Sequence, residues 1–219
     1  MKSKRISAKI IRELNMPKSL AYKSPNPFIR RIFWQRFDVL LKLSNIKKTD
    51  KVADVGCGSG LFLPTLSKFS SEVYAFDKDI NKSTYELLKM FKIRNVKLIK
   101  KDIGKSFKLK NYFDVVICAD VLEHIDNVEG VIGNISNIMK NNGKLLVSNP
   151  SDSIIYKFLS YFTGFKKSSL KEKHITNTKD IEKLLKKHFL LKEKVYVPNK
   201  LLSLFNILFF EKNSKKVNK

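Results

Sequence analysis

The chain has 219 residues, 43% of them hydrophobic, and a formal net charge of +24. That length and apolar content suit one globular domain with a sizeable core and exclude a disordered or fibrous chain. No apolar run reaches the ~18 residues of a membrane span, and Met1 to Lys9 is basic without the apolar stretch of a secretion signal. Cys57 and Cys118 fit neither a disulfide framework nor a zinc pattern, so the reading expects a cytoplasmic protein, with room for peripheral membrane contact. Strong basicity points to nucleic acid, anionic lipid or an acidic substrate. Of 44 basic residues, however, only Arg5, Arg12, Arg30, Arg31, Arg36 and Arg94 are arginines. Arginine is the residue of bidentate phosphate and base recognition, so this composition fits an AT-rich genome better than a dedicated nucleic-acid reader.

In chain order, residues 1–27 are basic and polar, with Pro17, Pro25 and Pro27 breaking any long helix, and read as a loosely ordered arm. Ile29, Ile32, Phe33, Phe37, Leu40 and Leu41 predict a helix over Phe28–Leu43. Val52-Ala53-Asp54-Val55-Gly56-Cys57-Gly58-Ser59-Gly60 then reads as a buried strand ending in a tight glycine turn, with Leu61, Phe62, Leu63 and Leu66 opening a helix. Such a turn brings backbone close to a nucleotide-like ligand. A dinucleotide fingerprint would need Gly or Ala where Leu61 stands. Gly104-Lys105-Ser106 offers the tail of a phosphate loop, but Ile99 occupies the place of its first glycine. A second strand, Glu72–Phe76, ends at Asp77, about 20 residues past Gly56, the spacing at which a strand-end carboxylate meets a ribose diol. The next helix is expected to start at Asp79 as its N-cap.

A third strand, Val96–Lys100, leads into Lys101-Asp102-Ile103, and a fourth, Phe113–Cys118, into Ala119-Asp120-Val121-Leu122-Glu123-His124-Ile125. Asn142-Gly143 then turns into a fifth strand through Pro150. Ile154, Ile155, Phe158, Leu159 and Phe162 share a helical face, a basic stretch follows, and Asn177 caps a helix through Lys187. Leu190–Val197 reads as a sixth strand. Leu201–Phe210 reads either as a membrane-dipping segment or, by preference, as a seventh, antiparallel strand over Ile207–Phe210 with Leu201–Phe205 free to touch lipid.

Asp54 ahead of Gly-x-Gly-x-Gly resembles motif I of the class I S-adenosylmethionine (SAM) methyltransferases, and the four later signals follow in that family's order over residues 50–150. The resemblance implies a doubly wound α/β fold with a seven-stranded, mostly parallel sheet and an antiparallel last strand. It implies one methyltransferase domain over 1–219: the arm 1–27, a SAM-binding core 28–150, a lid 151–176, and C-terminal helix and strands 177–219. The cofactor that the resemblance implies is SAM. Its contacts would be Asp54, Gly56, Gly58, Gly60, Asp77 on the ribose, Asp102 on the adenine amino group, Ile103 against the ring, and Asp120. Arg36 stands where some relatives place an arginine near the SAM carboxylate; it reads equally as a solvated helix charge. Asp102 has the alternative role of a turn residue, and the aromatic-rich lid (Tyr156, Phe158, Tyr161, Phe162, Phe165) that of ordinary core.

His124, just after the fourth strand, is the candidate catalytic base for a hydroxyl acceptor, against the alternative of a pocket-lining or capping residue. Asp120-x-x-Glu123-His124 also resembles the divalent-metal site Glu-x-x-Glu-His of some quinone-pathway and RNA-end relatives, with His174 to complete it; no metal is assigned. Ala119-Asp120-Val121-Leu122 departs from the Asn/Asp-Pro-Pro-Tyr/Phe of enzymes that methylate exocyclic adenine amines, which disfavours DNA. The expected function is methyl transfer to a small-molecule or lipid-linked acceptor, at oxygen. The rivals are an RNA methyltransferase and a non-catalytic SAM-binding partner subunit.

Overall fold

The computed structural model describes residues 2–17, 19–151 and 176–212. Seven strands build one sheet: β1 (Lys51–Val55), β2 (Glu72–Asp77), β3 (Val96–Lys100), β4 (Phe113–Ala119), β5 (Met139–Pro150), β6 (Phe189–Val197) and β7 (Phe205–Lys212). They lie in the order β3-β2-β1-β4-β5-β7-β6. β1 to β5 run parallel, and β7 is antiparallel to both β5 and β6. This is the doubly wound, mostly parallel sheet that the sequence predicts. Chain connections leave β1 in one direction toward β2 and return beyond it to β4. The crevice at the carboxyl ends of β1 and β4 is therefore the topological switch point, where ligands bind in such sheets.

Helices cover both faces because the strands alternate. Val52, Val73, Val115, Ile117 and Leu146 pack on one side with Ile32, Phe37, Leu40 and Leu41 of α2 (Pro27–Ser44) and Leu63 and Leu66 of α3 (Leu63–Phe69). Ala53, Val55, Val116, Cys118, Leu145 and Val147 face the other way, onto Val131, Ile132 and Ile135 of the helix Val128–Ile138 and Ile181 and Leu185 of the helix Thr178–His188. Local chemistry sets the ends. Asn26 accepts the Phe28 N–H at the start of α2, Pro27 takes its first position, and Asn45 closes it in the left-handed region. Asn177 accepts the Asp180 N–H, the N-cap expected for the helix Thr178–His188.

Three expectations need correction. The amino-terminal arm is not loose: a short helix, α1 (Ala8–Glu13), and a 3-10 turn, Leu20–Lys23, bury Ile6, Ile11, Met16, Ala21 and Tyr22 in the cluster that holds α2 and α3. Ser7 caps that helix by accepting the Ile10 N–H, which lets a short basic segment hold helical shape once its apolar side is covered. The helix after β2 (Lys82–Met90) starts at Asn81, not Asp79, because the Asp79 N–H is donated to Asp77. β7 begins at Phe205 rather than Ile207, paired with β5 from Phe205 to Glu211 and with β6 on its other side.

Candidate cofactor site

The glycine turn leaves β1 and is tied to β2 at once: Gly56 and Cys57 both donate to the Phe76 carbonyl, at 2.7 and 3.0 Å. Gly56, Gly58 and Gly60 all have positive φ (80°, 53° and 73°), a region costly for any residue with a Cβ. Space divides their roles. A Cβ on Gly56 would stand 2.3 Å from Val121 Cγ2, and one on Gly60 2.7 Å from Thr84 Cγ2. Those two glycines let the loop after β4 and the helix after β2 close on the turn. Gly58 meets no heavy atom within 4 Å among the described residues. It faces open space at the switch point.

Asp77 ends β2 and reaches back across the turn. Its Oδ2 accepts the Gly58 N–H at 2.8 Å and its Oδ1 accepts the Asp79 N–H at 3.0 Å. A carboxylate offers about four acceptor positions, so roughly two remain, as many as a ribose diol would fill. Asp54 lies beneath, buried, with its pKa pushed up to about 7, first by desolvation and then by repulsion from Asp77. The same two carboxylates and burial push the Cys57 thiol well above its usual range, so it is held as the inert protonated form.

Arg36 is not a solvated helix charge. It is buried in α2, forms an ion pair with Asp120, donates from Nη2 to the Tyr22 hydroxyl at 2.6 Å, and lies 4.7 Å from the ring centre of Phe205. Tyr22 is itself walled in by Phe33, Trp34 and Phe37. Burial pushes its phenol pKa up while Arg36 opposes the shift. Asp120 follows β4 with φ 56°, its N–H on the Ser148 carbonyl at 2.7 Å and its Oδ1 accepting from the Ser148 hydroxyl at 3.3 Å. Sequence pattern alone does not single out Tyr22, which lies within the basic amino-terminal arm. The arm's own signal is the apolar spacing of Ile6, Ile10, Ile11 and Leu14, which demands a covered face.

Asp102 is exposed and its Oδ1 accepts the Gly104 N–H at 2.9 Å, a turn bond that uses one of its two carboxylate oxygens; Ile103 beside it is buried in the same apolar cluster as Phe76. His124 ends a 3-10 turn, Leu122–His124, with its N–H on the Val121 carbonyl and its Nε2 3.9 Å from Oε1 of the buried Glu123. Asp120 is turned to Arg36, and among the described residues no three His, Cys, Asp or Glu side chains gather as metal ligands would. The expected lid, 151–176, lies outside the described residues except for its two end positions, and His174 lies outside them with it.

A family model described as a methyltransferase domain matches residues 28–195, which takes in the residues described for this site except Tyr22 and Phe205. The chain belongs to the class I SAM-dependent methyltransferase family. The methyltransferase domain is 36% identical over 120 residues to MJ0638, an uncharacterized protein of Methanocaldococcus jannaschii, across 55% of this chain and 49% of that one. It is 33% identical over 112 residues to the ubiquinone biosynthesis O-methyltransferase of Rickettsia typhi, across 50% of this chain and 44% of that one. The chain thus spans about half the length of the curated relatives it matches. The fold is shared with the N-methyltransferase NodS of Bradyrhizobium japonicum in complex with S-adenosyl-L-homocysteine: TM-score 0.67 at 18% identity, covering 95% of this chain and 99% of that one. The glycine turn fits the family's cofactor on this chain's own geometry, since the one glycine without a packing role faces open space beside an under-filled carboxylate.

Proposed function

We propose that the chain transfers a methyl group from SAM to a small-molecule or lipid-linked acceptor, at an oxygen. The observation that carries this reading is Gly58: left-handed backbone, an amide bonded to Asp77, and open space where a side chain would stand. Asp54, Gly56, Gly58 and Gly60 form the cradle. Asp77 takes the ribose hydroxyls, Asp102 and Ile103 the adenine amino group and ring, and Arg36 with Asp120 the amino-acid end. When bound, SAM supplies a methyl on a positively charged sulfur that departs as a neutral thioether.

The residues around it have little covalent work. Their task is alignment, which can be worth up to roughly 7–11 kcal/mol. His124 accepts the proton that a hydroxyl acceptor must lose as it attacks. The likeness to an O-methyltransferase of ubiquinone biosynthesis supports oxygen as the nucleophile and an apolar acceptor. The second reading, RNA, rests on the net charge of +24.

The test is transfer of labelled methyl from SAM into fractionated host extract, with Asp77→Ala as the blank. Label in the organic phase supports a lipid-linked acceptor, and label in small water-soluble compounds a soluble one. Label confined to an RNase-sensitive fraction overturns the reading in favour of RNA. SAM binding with no transfer into any fraction overturns it in favour of a non-catalytic module.

A further inference from the structure

The carboxyl edge of the sheet carries large apolar side chains that the fold does not bury. Leu201 is 85% and Leu202 43% exposed in the turn between β6 and β7, and Phe28 is 57% exposed in the first turn of α2. They lie at one edge. Phe205, which follows that turn, pairs with Val197 of β6 and with Pro150, the last residue of β5. α2 points the same way: its last residue, Ser44, accepts from Lys144 in the first half of β5, while Phe33 and Arg36 contact Phe205 at the strand's far end. Phe28, five residues before Phe33, therefore projects about 7.5 Å further out.

The turn is built rather than frayed. Asn199 Oδ1 accepts the N–H groups of Leu201 and Leu202 at 3.0 and 2.9 Å, and Leu204 N–H donates to the Val197 carbonyl at 2.7 Å. Lys200 and Arg31 are exposed and Lys23 and Arg30 half-buried on the flanking elements, and none is ion-paired among the described residues. A leucine tip beside uncompensated cations complements an anionic lipid surface, with apolar side chains below the headgroups and cations level with the phosphates. A protein partner would want about 800 Å² of continuous face, which a two-leucine turn does not offer.

We infer that this edge docks the chain on an anionic bilayer, with Leu201 and Leu202 inserted and the cofactor crevice turned toward the lipid. Docking presents the acceptor to the site directly; that purpose, though not the docking, rests on the lipid-linked reading above. The test is flotation of the full chain with phosphatidylglycerol–phosphatidylcholine vesicles and with phosphatidylcholine alone, at low and high salt. Binding is expected to the anionic vesicles and to weaken with salt. Leu201→Asp with Leu202→Asp is expected to cut the bound fraction at least tenfold with melting temperature and SAM affinity unchanged. Failure of the full chain to float, equal flotation of the double variant, or retention on RNA in place of vesicles overturns the proposal. Flotation is read without turnover, so a water-soluble acceptor refutes the lipid-linked reading and leaves this result standing.

Discussion

The guanidinium of Arg36, buried in α2, is paired with the carboxylate of Asp120, the residue that leaves β4 in a left-handed conformation. The pair fastens the helix that covers the crevice to the strand end that forms its floor. Removing Asp120 leaves the buried guanidinium without its partner charge. Arg36→Met avoids that, whereas Asp120→Asn strands the guanidinium while keeping a residue that tolerates positive φ. Asp120→Asn is therefore expected to lose about 2–3 kcal/mol of unfolding free energy, discounted for the partial exposure of Asp120, and Arg36→Met less. Urea denaturation checks this; equal losses would mean that packing rather than charge dominates.

Asp77→Ala removes two acceptors that organise the turn and the two that remain for a ligand. SAM affinity is expected to fall at least tenfold, about 1.4 kcal/mol, by titration calorimetry. Unchanged affinity would remove Asp77 from the ribose.

Gly56 and Gly58 separate fold from binding. Gly56→Ala drives a Cβ into Val121 and is expected to lower the melting temperature sharply. At Gly58 an added Cβ meets no heavy atom within 4 Å among the described residues, so Gly58→Val should cost chiefly left-handed strain, at least ~1–2 kcal/mol, while abolishing SAM binding. Normal binding by Gly58→Val would place the ligand elsewhere.

Asp54 gives a signed pH dependence. Its folded pKa of about 7 lies above the ordinary 3.8, so between those values the folded state holds the proton more tightly. Stability contributed by the protonated form is full below about pH 4 and lost as pH rises through about 7, on the order of 4 kcal/mol in all. The apo protein should thus melt progressively lower from pH 5 to 8 by more than Asp54→Asn does; parallel profiles would sink this.

His124→Ala is expected to lower turnover by about 10²–10⁴ with SAM affinity retained. Full activity removes its role as base. EDTA should leave turnover unchanged, since Asp120 faces Arg36 rather than a metal; loss of activity restored by a divalent cation would reverse that.

The order of strands, the glycine turn and the placing of Asp77 at a strand end were legible in the sequence because they are local. Strand period, positive-φ glycines and caps depend on neighbours a few residues away. The sequence by itself also determined that Gly56, Gly58 and Gly60 sit in one turn. Only tertiary structure decided which of them packs and which faces open space, because that depends on Val121 and Thr84, from other parts of the chain. Arg36 read as a solvated charge or a cofactor contact with equal ease, since its burial is fixed by Tyr22, Phe205 and Asp120. The amino-terminal arm looked loose for the same reason: no isolated six-residue helix is stable in water, and only the face of α2 and α3 gives Ile11 and Tyr22 somewhere to be buried.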